Sequence, residues 1–239
     1  FTPYVKSVDT APGSLILEKA KAENRNPSQV ECFDILKCYE FPVPEYRPAT
    51  TANEAAQAAG EIGFPVVLKV DVPSIIHKSD VGGITMNLSS TEEVIAAFNG
   101  LQARLQNHLH AGEPFTTIVM QQADLDGQEV ILGIKQDATF GPVLLFGPGG
   151  IFAEMIEDVS LRVLPVDRTD VVEMIREIKG YEALTGIRGT SAKDVDSLAD
   201  LLLSLSQLAQ DFQQIKEIDL NPVISYENGC LALDARFIL

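Results

Sequence analysis

"IKEIDLNPVISYENGCLALDARFIL", residues 215–239, reads as two β-strands folded around an Asn-Gly turn. A two-residue turn at Asn228-Gly229 puts Val223 opposite Asp234. A four-residue turn, Tyr226 to Gly229, puts Asn221 opposite Asp234 instead. Side chains alternate along a strand, so both registers place Glu217, Asp219, Asn221 and Asp234 on one face. Facing or diagonal neighbours there lie about 4.5–8 Å apart at Cβ. Oxygen donors at that spacing suit a hard cation such as Mg2+, bound together with substrate phosphates. The alternative is a solvated outer face, and Pro222 threatens the register by bulging the strand.

Working outward, "PVVLKV" (65–70) reads as a buried strand and "GITMNL" (83–88) as its sheet partner, with "SIIHKSDVGG" (74–83) leading into it. Lys69 interrupts the apolar run, where a lysine is seldom buried without a partner. A nucleotide phosphate would supply one; an exposed edge-strand lysine is the alternative. The glycine turns "SDVGG" (79–83) and "FGPGG" (146–150) would let backbone N–H groups face an anion. Neither matches the Walker or dinucleotide fingerprints, and taken alone each reads first as a plain tight turn.

Helix-start signals recur along the chain. Asn26 is the expected cap of one helix, with Pro27 at its first position and Gln29 closing a capping box. Val30, Phe33, Leu36 and Tyr39 would face inward, and "FPVPEY" would stop it. Thr51 with Glu54 starts a second helix that Gly60 and Gly63 end. Ser90 with Glu93 starts a third, burying Val94, Ala97, Phe98, Leu101 and Leu105. "FTTIVMQQ" is another strand. "GQEVILGI", the turn "KQDATFG" and "PVLLFG" form an expected hairpin, and "DRTDVVEMIREI" and "DVDSLADLLLSLSQLAQDF" two more helices. The result is a mixed α/β chain: an arm or linker over 1–25, a first lobe over 26–122 and a second over 123–239.

Formal charge is −16, from 18 basic and 34 acidic side chains. That argues against nucleic acid or an anionic membrane, which reward dense Lys/Arg patches. It leaves room for a phosphorylated small molecule, whose site needs only a few local donors. Three cysteines without metal-type spacing read as reduced thiols, and no apolar run approaches membrane-spanning length. A cytoplasmic protein is expected. Phe1 in place of methionine suggests a processed form, an excised domain or the tail of a longer polypeptide.

Three separated blocks, "GFPVVLKVDVPSIIHKSDVGGI", "GQEVILGIKQDATFGPVLLFGPGG" and "KEIDLNPVI" with "LALDAR", together resemble an ATP-grasp domain. More narrowly they resemble the nucleotide-binding β subunit or domain of ADP-forming acyl-CoA synthetases, relatives of succinyl-CoA synthetase. The resemblance implies two α+β lobes with ATP between them, and the reaction acyl-CoA + ADP + phosphate = acid + CoA + ATP. By it, Lys69 contacts nucleotide phosphates, with the glycine turns (Gly82, Gly83, Gly149 and Gly150) beside them. Gln122 and Ala123 form the hinge that reads the base, and Glu129 meets the sugar region. Asn221 and Asp234 hold Mg2+. Asp219 steadies a phosphohistidine arriving from the partner, and His77 matches a second phosphate-carrying histidine. Neutral imidazole is nucleophilic near neutral pH, which suits that task.

The resemblance also implies an α subunit, or fused N-terminal CoA-binding domains, and hence a hetero-oligomer or a dimer of fused chains. A rival expectation is a non-catalytic regulatory ATP-grasp module of a fused protein acetyltransferase. Retention of Lys69, Glu129, Asn221 and Asp234 speaks against it. A second rival, a ligase passing an acyl phosphate to an amine, is disfavoured by His77 in "HKSDVGG".

Overall fold

The computed structural model describes residues 4–72, 74–75, 78–150, 158–186 and 191–239. The chain divides into two compact units, one spanning 27–31 and 44–123, the other the chain up to Asn26 together with 32–43 and 124–239. The chain passes for the last time from the first of these units to the second after Ala123. The early segments are distributed differently from the expectation of an arm followed by a lobe.

The first unit is built on an antiparallel four-stranded sheet in the order β1-β4-β2-β3. Its strands are β1 (Tyr46–Ala49), β2 (Val66–Val70), β3 (Ile84–Leu88) and β4 (Thr117–Gln121). β1 lies at the edge, which explains how Pro48 is tolerated inside it. Helices α3 (Ala52–Ile62) and α4 (Thr91–Leu105) pack against this sheet. Their apolar faces meet Val66, Leu68, Val70 and Val119 in one core, where Phe98 and Phe115 stack edge to face at 5.4 Å. Both helices start where the capping signals predict. The Thr51 and Ser90 hydroxyls accept from the Glu54 and Glu93 amides, each at 3.2 Å. The glutamates, however, reach one residue further back than in a standard box, to Thr50 and Ser89. Ala97 is only half-buried, while Val94, Phe98, Leu101 and Leu105 are enclosed.

In the second unit a larger sheet runs β10-β8-β5-β6-β7, with β9 also paired to β8. It comprises β5 (Gln128–Asp137), β6 (Gly141–Pro148), β7 (Ser160–Val163), β8 (Glu217–Ser225), β9 (Cys230–Ala232) and β10 (Arg236–Ile238). Helices α5 (Arg168–Glu177) and α6 (Val195–Asp211) pack against it. The β5–β6 hairpin extends further than "KQDATFG" suggested. Asp137 pairs with Gly141, and the Asp137 carboxylate accepts from the Thr139 and Phe140 amides to close the tip. β7 carried no strong strand signal, being short and interrupted by Arg162.

Two early expectations change. The segment read as an arm contains helix α1 (Ala11–Ala22), with Pro12 in its first turn and Leu17 and Ala20 buried. Gly13 faces the Phe212 ring so closely that a Cβ there would come within 2.7 Å of it. Second, the reciprocal cap of α2 (Gln29–Cys38) is built on Ser28 where Asn26 was expected. Ser28 and Glu31 form the reciprocal pair: the Glu31 amide donates to the Ser28 hydroxyl at 3.3 Å, and the Ser28 amide to the Glu31 carboxylate at 2.9 Å. Asn26 instead accepts from the Leu239 amide. Asp71, 42 residues away from Gln29 in sequence and buried, adds a second cap by accepting from the Gln29 and Val30 amides at 2.7 and 3.2 Å. Phe33, Leu36 and Tyr39 are buried as expected, whereas Val30 is half-buried.

No helix among the described residues is long and apolar enough to cross a membrane. All three cysteines are free, and burial pushes the Cys230 thiol up to about 11.

Two stability measurements follow from these caps. Asp71→Ala removes the shared acceptor of two helix-start amides and should lower the unfolding free energy by about 1–3 kcal/mol in urea denaturation. Asp194 accepts from the Ser197 and Gly229 amides at 3.0 and 2.8 Å, which holds its carboxyl below the usual range. A depressed folded-state pKa contributes stability above the ordinary carboxylate pKa and loses it as pH falls through the folded value. Asp194→Asn should therefore cost stability near neutral pH and progressively less in acid, read as melting temperature against pH.

Candidate functional site

The C-terminal strands adopt the four-residue turn. Ser225 pairs with Cys230, and the Tyr226 amide donates to the Gly229 carbonyl at 3.0 Å. Asp194 anchors this turn to the start of α6, because its backbone amide also donates to the Tyr226 carbonyl at 2.8 Å. The same register continues beyond β9. The Leu233 amide donates to the Pro222 carbonyl, and Arg236 pairs with Asp219 across β8 and β10. Asn221 thus faces Asp234. Ile218 and Leu220 are buried, Glu217, Asp219 and Asp234 are half-buried, and Asn221 is exposed. Pro222 does bulge β8, as feared, but only against β5, where the register shifts between Val130 and Leu132. Towards β9 and β10 the register is unbroken.

Glu129 lies on β5, half-buried, where it pairs with Ile224 of β8. The "GPGG" turn folds directly onto it. The Gly149 amide donates to the Glu129 carbonyl at 2.8 Å, and a Cβ on Gly149 would lie 2.7 Å from the Glu129 Cβ. Gly150 takes φ +78°, and a Cβ there would stand 3.4 Å from a Glu129 carboxylate oxygen. Glycine is needed here so that the turn can close over a glutamate. The Gly149 amide is thereby spent on the sheet ladder.

In the first unit, Lys69 occupies β2, which is hydrogen-bonded on both sides, to Ile118 of β4 and Ile84 of β3. It is 8% exposed, so the edge-strand alternative does not apply. Val66, Leu68 and Val70 face the helices, which leaves Lys69 on the opposite side of the sheet. Gly82 and Gly83 shape the following loop: their amides donate to the Ser79 and Lys78 carbonyls at 3.0 and 2.6 Å. A Cβ on Gly83 would meet Val70 at 2.6 Å. The plain-turn reading therefore describes these two amides. Lys78 donates to the Gln29 side chain at 2.6 Å, tying the loop to the start of α2. His77 lies outside the described residues.

Just after β4, the Gln122 amide donates to the Pro65 carbonyl at 3.1 Å. Its side chain forms a reciprocal pair with Asn87: the Asn87 amide donates to Gln122 Oε1 at 2.6 Å and Gln122 Nε2 to Asn87 Oδ1 at 2.7 Å. Asn87 holds φ +59°, a conformation asparagine tolerates better than most residues. Ala123 follows, half-buried, at the end of this unit.

Among the described residues, no group of three or more His, Cys, Asp or Glu side chains is arranged to hold a metal. Asn221 and Asp234 offer one amide and one carboxylate oxygen set, a donor chemistry that fits Mg2+ when phosphates and water complete its shell. Sequence reasoning missed Arg236, although "LALDAR" places it two residues beyond Asp234 on the same face. Its Nη2 lies 2.8 Å from Glu217 Oε1 and 3.7 Å from Asp219 Oδ2.

Comparison with known proteins identifies the family. A family model described as ATP-grasp domain matches residues 18–239. The chain is 45% identical over 224 residues to the acetate–CoA ligase (ADP-forming) I subunit beta of Pyrococcus furiosus, covering 94% of this chain and 96% of that one. It is 37% identical over 233 residues to acetate–CoA ligase (ADP-forming) I of Archaeoglobus fulgidus, covering 98% of this chain but 34% of that longer protein. Acetyl-coenzyme A synthetase 1 of Ca. Korarchaeum cryptofilum superposes with a TM-score of 0.90 at 38% identity, over 95% of this chain and 99% of that one. Another structure of that enzyme holds coenzyme A and Mg-AMPPCP, with its phosphohistidine segment pointing towards the nucleotide binding site. The chain belongs to the ATP-grasp family, within the branch formed by the β subunits of ADP-forming acetate–CoA ligases.

Proposed function

We propose that this chain is the nucleotide-binding half of an ADP-forming acyl-CoA synthetase, moving a phosphoryl group between a partner's phosphohistidine and ADP. The observation that carries the reading is the register of β8, which sets Asn221 across from Asp234 one rung from Asp219. In the ATP-forming direction the N–P bond of phosphohistidine breaks and an O–P bond to the β-phosphate of ADP forms. Such transfer depends mainly on alignment and charge neutralisation rather than covalent help from the protein.

Asn221 and Asp234 would hold Mg2+, which supplies charge neutralisation at the phosphates. Lys69 contributes a fixed ammonium to the nucleotide phosphates. Asp219 steadies the incoming imidazole, and Glu129, seated by Gly149 and Gly150, takes the sugar hydroxyls. The Gln122 amide is engaged by Pro65, so base reading falls to the Gln122 carbonyl and Ala123. His77 serves as an intermediate phosphoryl carrier: an N–P bond to its ring forms as the partner's N–P bond breaks, and that bond breaks in turn as the O–P bond to ADP forms. The CoA and acyl sites belong to an α partner or fused domains, consistent with the threefold longer relative.

Three measurements test this. Incubation with Mg·ATP and an α partner should give acid-labile phosphohistidine by mass spectrometry, with the His77→Ala chain losing any label on its own residue. Nucleotide binding without phosphohistidine in either chain would overturn the transfer reading. Lys69→Met should weaken Mg·ATP binding by about 10-fold or more, as loss of a charged contact typically does. Gly149→Ala should displace Glu129 and weaken nucleotide binding by calorimetry, whereas Gly60→Ala, with open space around it, should not.

A further inference from the structure

The sheet face that carries Asn221 and Asp234 also carries an ion network of its own. Arg236 stands directly across from Asp219, and Glu217 lies two residues along β8 on the same face. The guanidinium hydrogen-bonds Glu217 at 2.8 Å and approaches Asp219 at 3.7 Å. The three side chains are 33–41% exposed, and ion pairs so exposed add little to folding stability. Two carboxylates at this spacing repel each other. A planar guanidinium with five donors can hold both in fixed directions, which a lysine ammonium cannot.

We propose that Arg236 is a positioning residue for phosphoryl transfer: anchored by Glu217, it fixes the Asp219 carboxylate in the orientation that receives the phosphohistidine. Arg236 acts through Asp219 and touches neither nucleotide nor metal. Glu217, two steps from the chemistry, is the anchor. This rests on the reading that Asp219 meets the partner's phosphohistidine.

The test is single-turnover transfer from a phosphorylated α partner to Mg·ADP, with wild type, R236M, R236K, E217Q, D219N and R236M/D219N. R236M should slow transfer by about 10- to 100-fold, the range expected when a reacting group is misplaced. Its dissociation constant for Mg·AMPPCP and its melting temperature should stay near wild type. R236K should recover part of the rate, and E217Q should show a smaller loss of the same kind. The double variant should be no slower than D219N, since the two residues act as one unit. A slow D219N with a wild-type R236M overturns the role of Arg236 while leaving the transfer reading intact. A D219N at the wild-type rate overturns that reading itself. A large fall in melting temperature together with weakened Mg·AMPPCP binding in R236M would make the residue a scaffold element and overturn the proposal. Should R236M fail to fold, R236K and E217Q decide it: wild-type transfer in both overturns it.

Discussion

The register of β8 against β9 and β10 is the constraint on which the candidate site depends. A slip of one residue would turn Asp219 and Asn221 into the core and carry Ile218 and Leu220 to the surface. Apolar burial on one face therefore protects the polar arrangement on the other. The turn that sets this register is held by Asp194, which accepts from Gly229 while its amide donates to Tyr226. The bulge at Asn221-Pro222 falls on the β5 side of the strand and leaves the pairing that matters untouched.

The first unit follows a related economy. Its helices cover the Val66, Leu68 and Val70 face of β2, and alternation leaves Lys69 on the other side of a fully paired strand. The loop after β2 is held at several points. Asp71 caps α2, the Asp71 carbonyl accepts from the Thr116 hydroxyl, and Lys78 reaches Gln29. The loop's glycines make its own turn and approach Val70 closely. Shape, rather than a row of outward amides, is what glycine contributes here. The same holds at Gly149, whose missing side chain lets the turn lie against Glu129.

Helix starts were legible at Thr51 and Ser90 because a hydroxyl and the amide three residues on interact within one turn of chain. The same rule misplaced the start of α2. Asn26-Pro27 and Ser28 both offer cap chemistry, and Asp71 arrives from a distant strand end to favour the second. Helix α1 escaped notice because Leu15, Ile16 and Leu17 follow one another without helical spacing; only Gly13, Leu17 and Ala20 are buried, and contacts such as Gly13 on Phe212 seat the helix. β7 was too short for a periodicity signal and owes its existence to pairing with β6.

The sequence by itself determined most of the element types, with α1 and β7 the exceptions, the family, and the face on which the acidic and amide residues of the last strands gather. These follow from alternation, helical spacing and caps, all carried by residues within a few positions of one another. Only the tertiary structure decided between the two turn registers, joined Glu129 to Gly149 and Gly150, and set Arg236 between Glu217 and Asp219. Those outcomes depend on which strands pair and how closely backbones approach, and pairing is settled by burial across the whole sheet rather than by local preference.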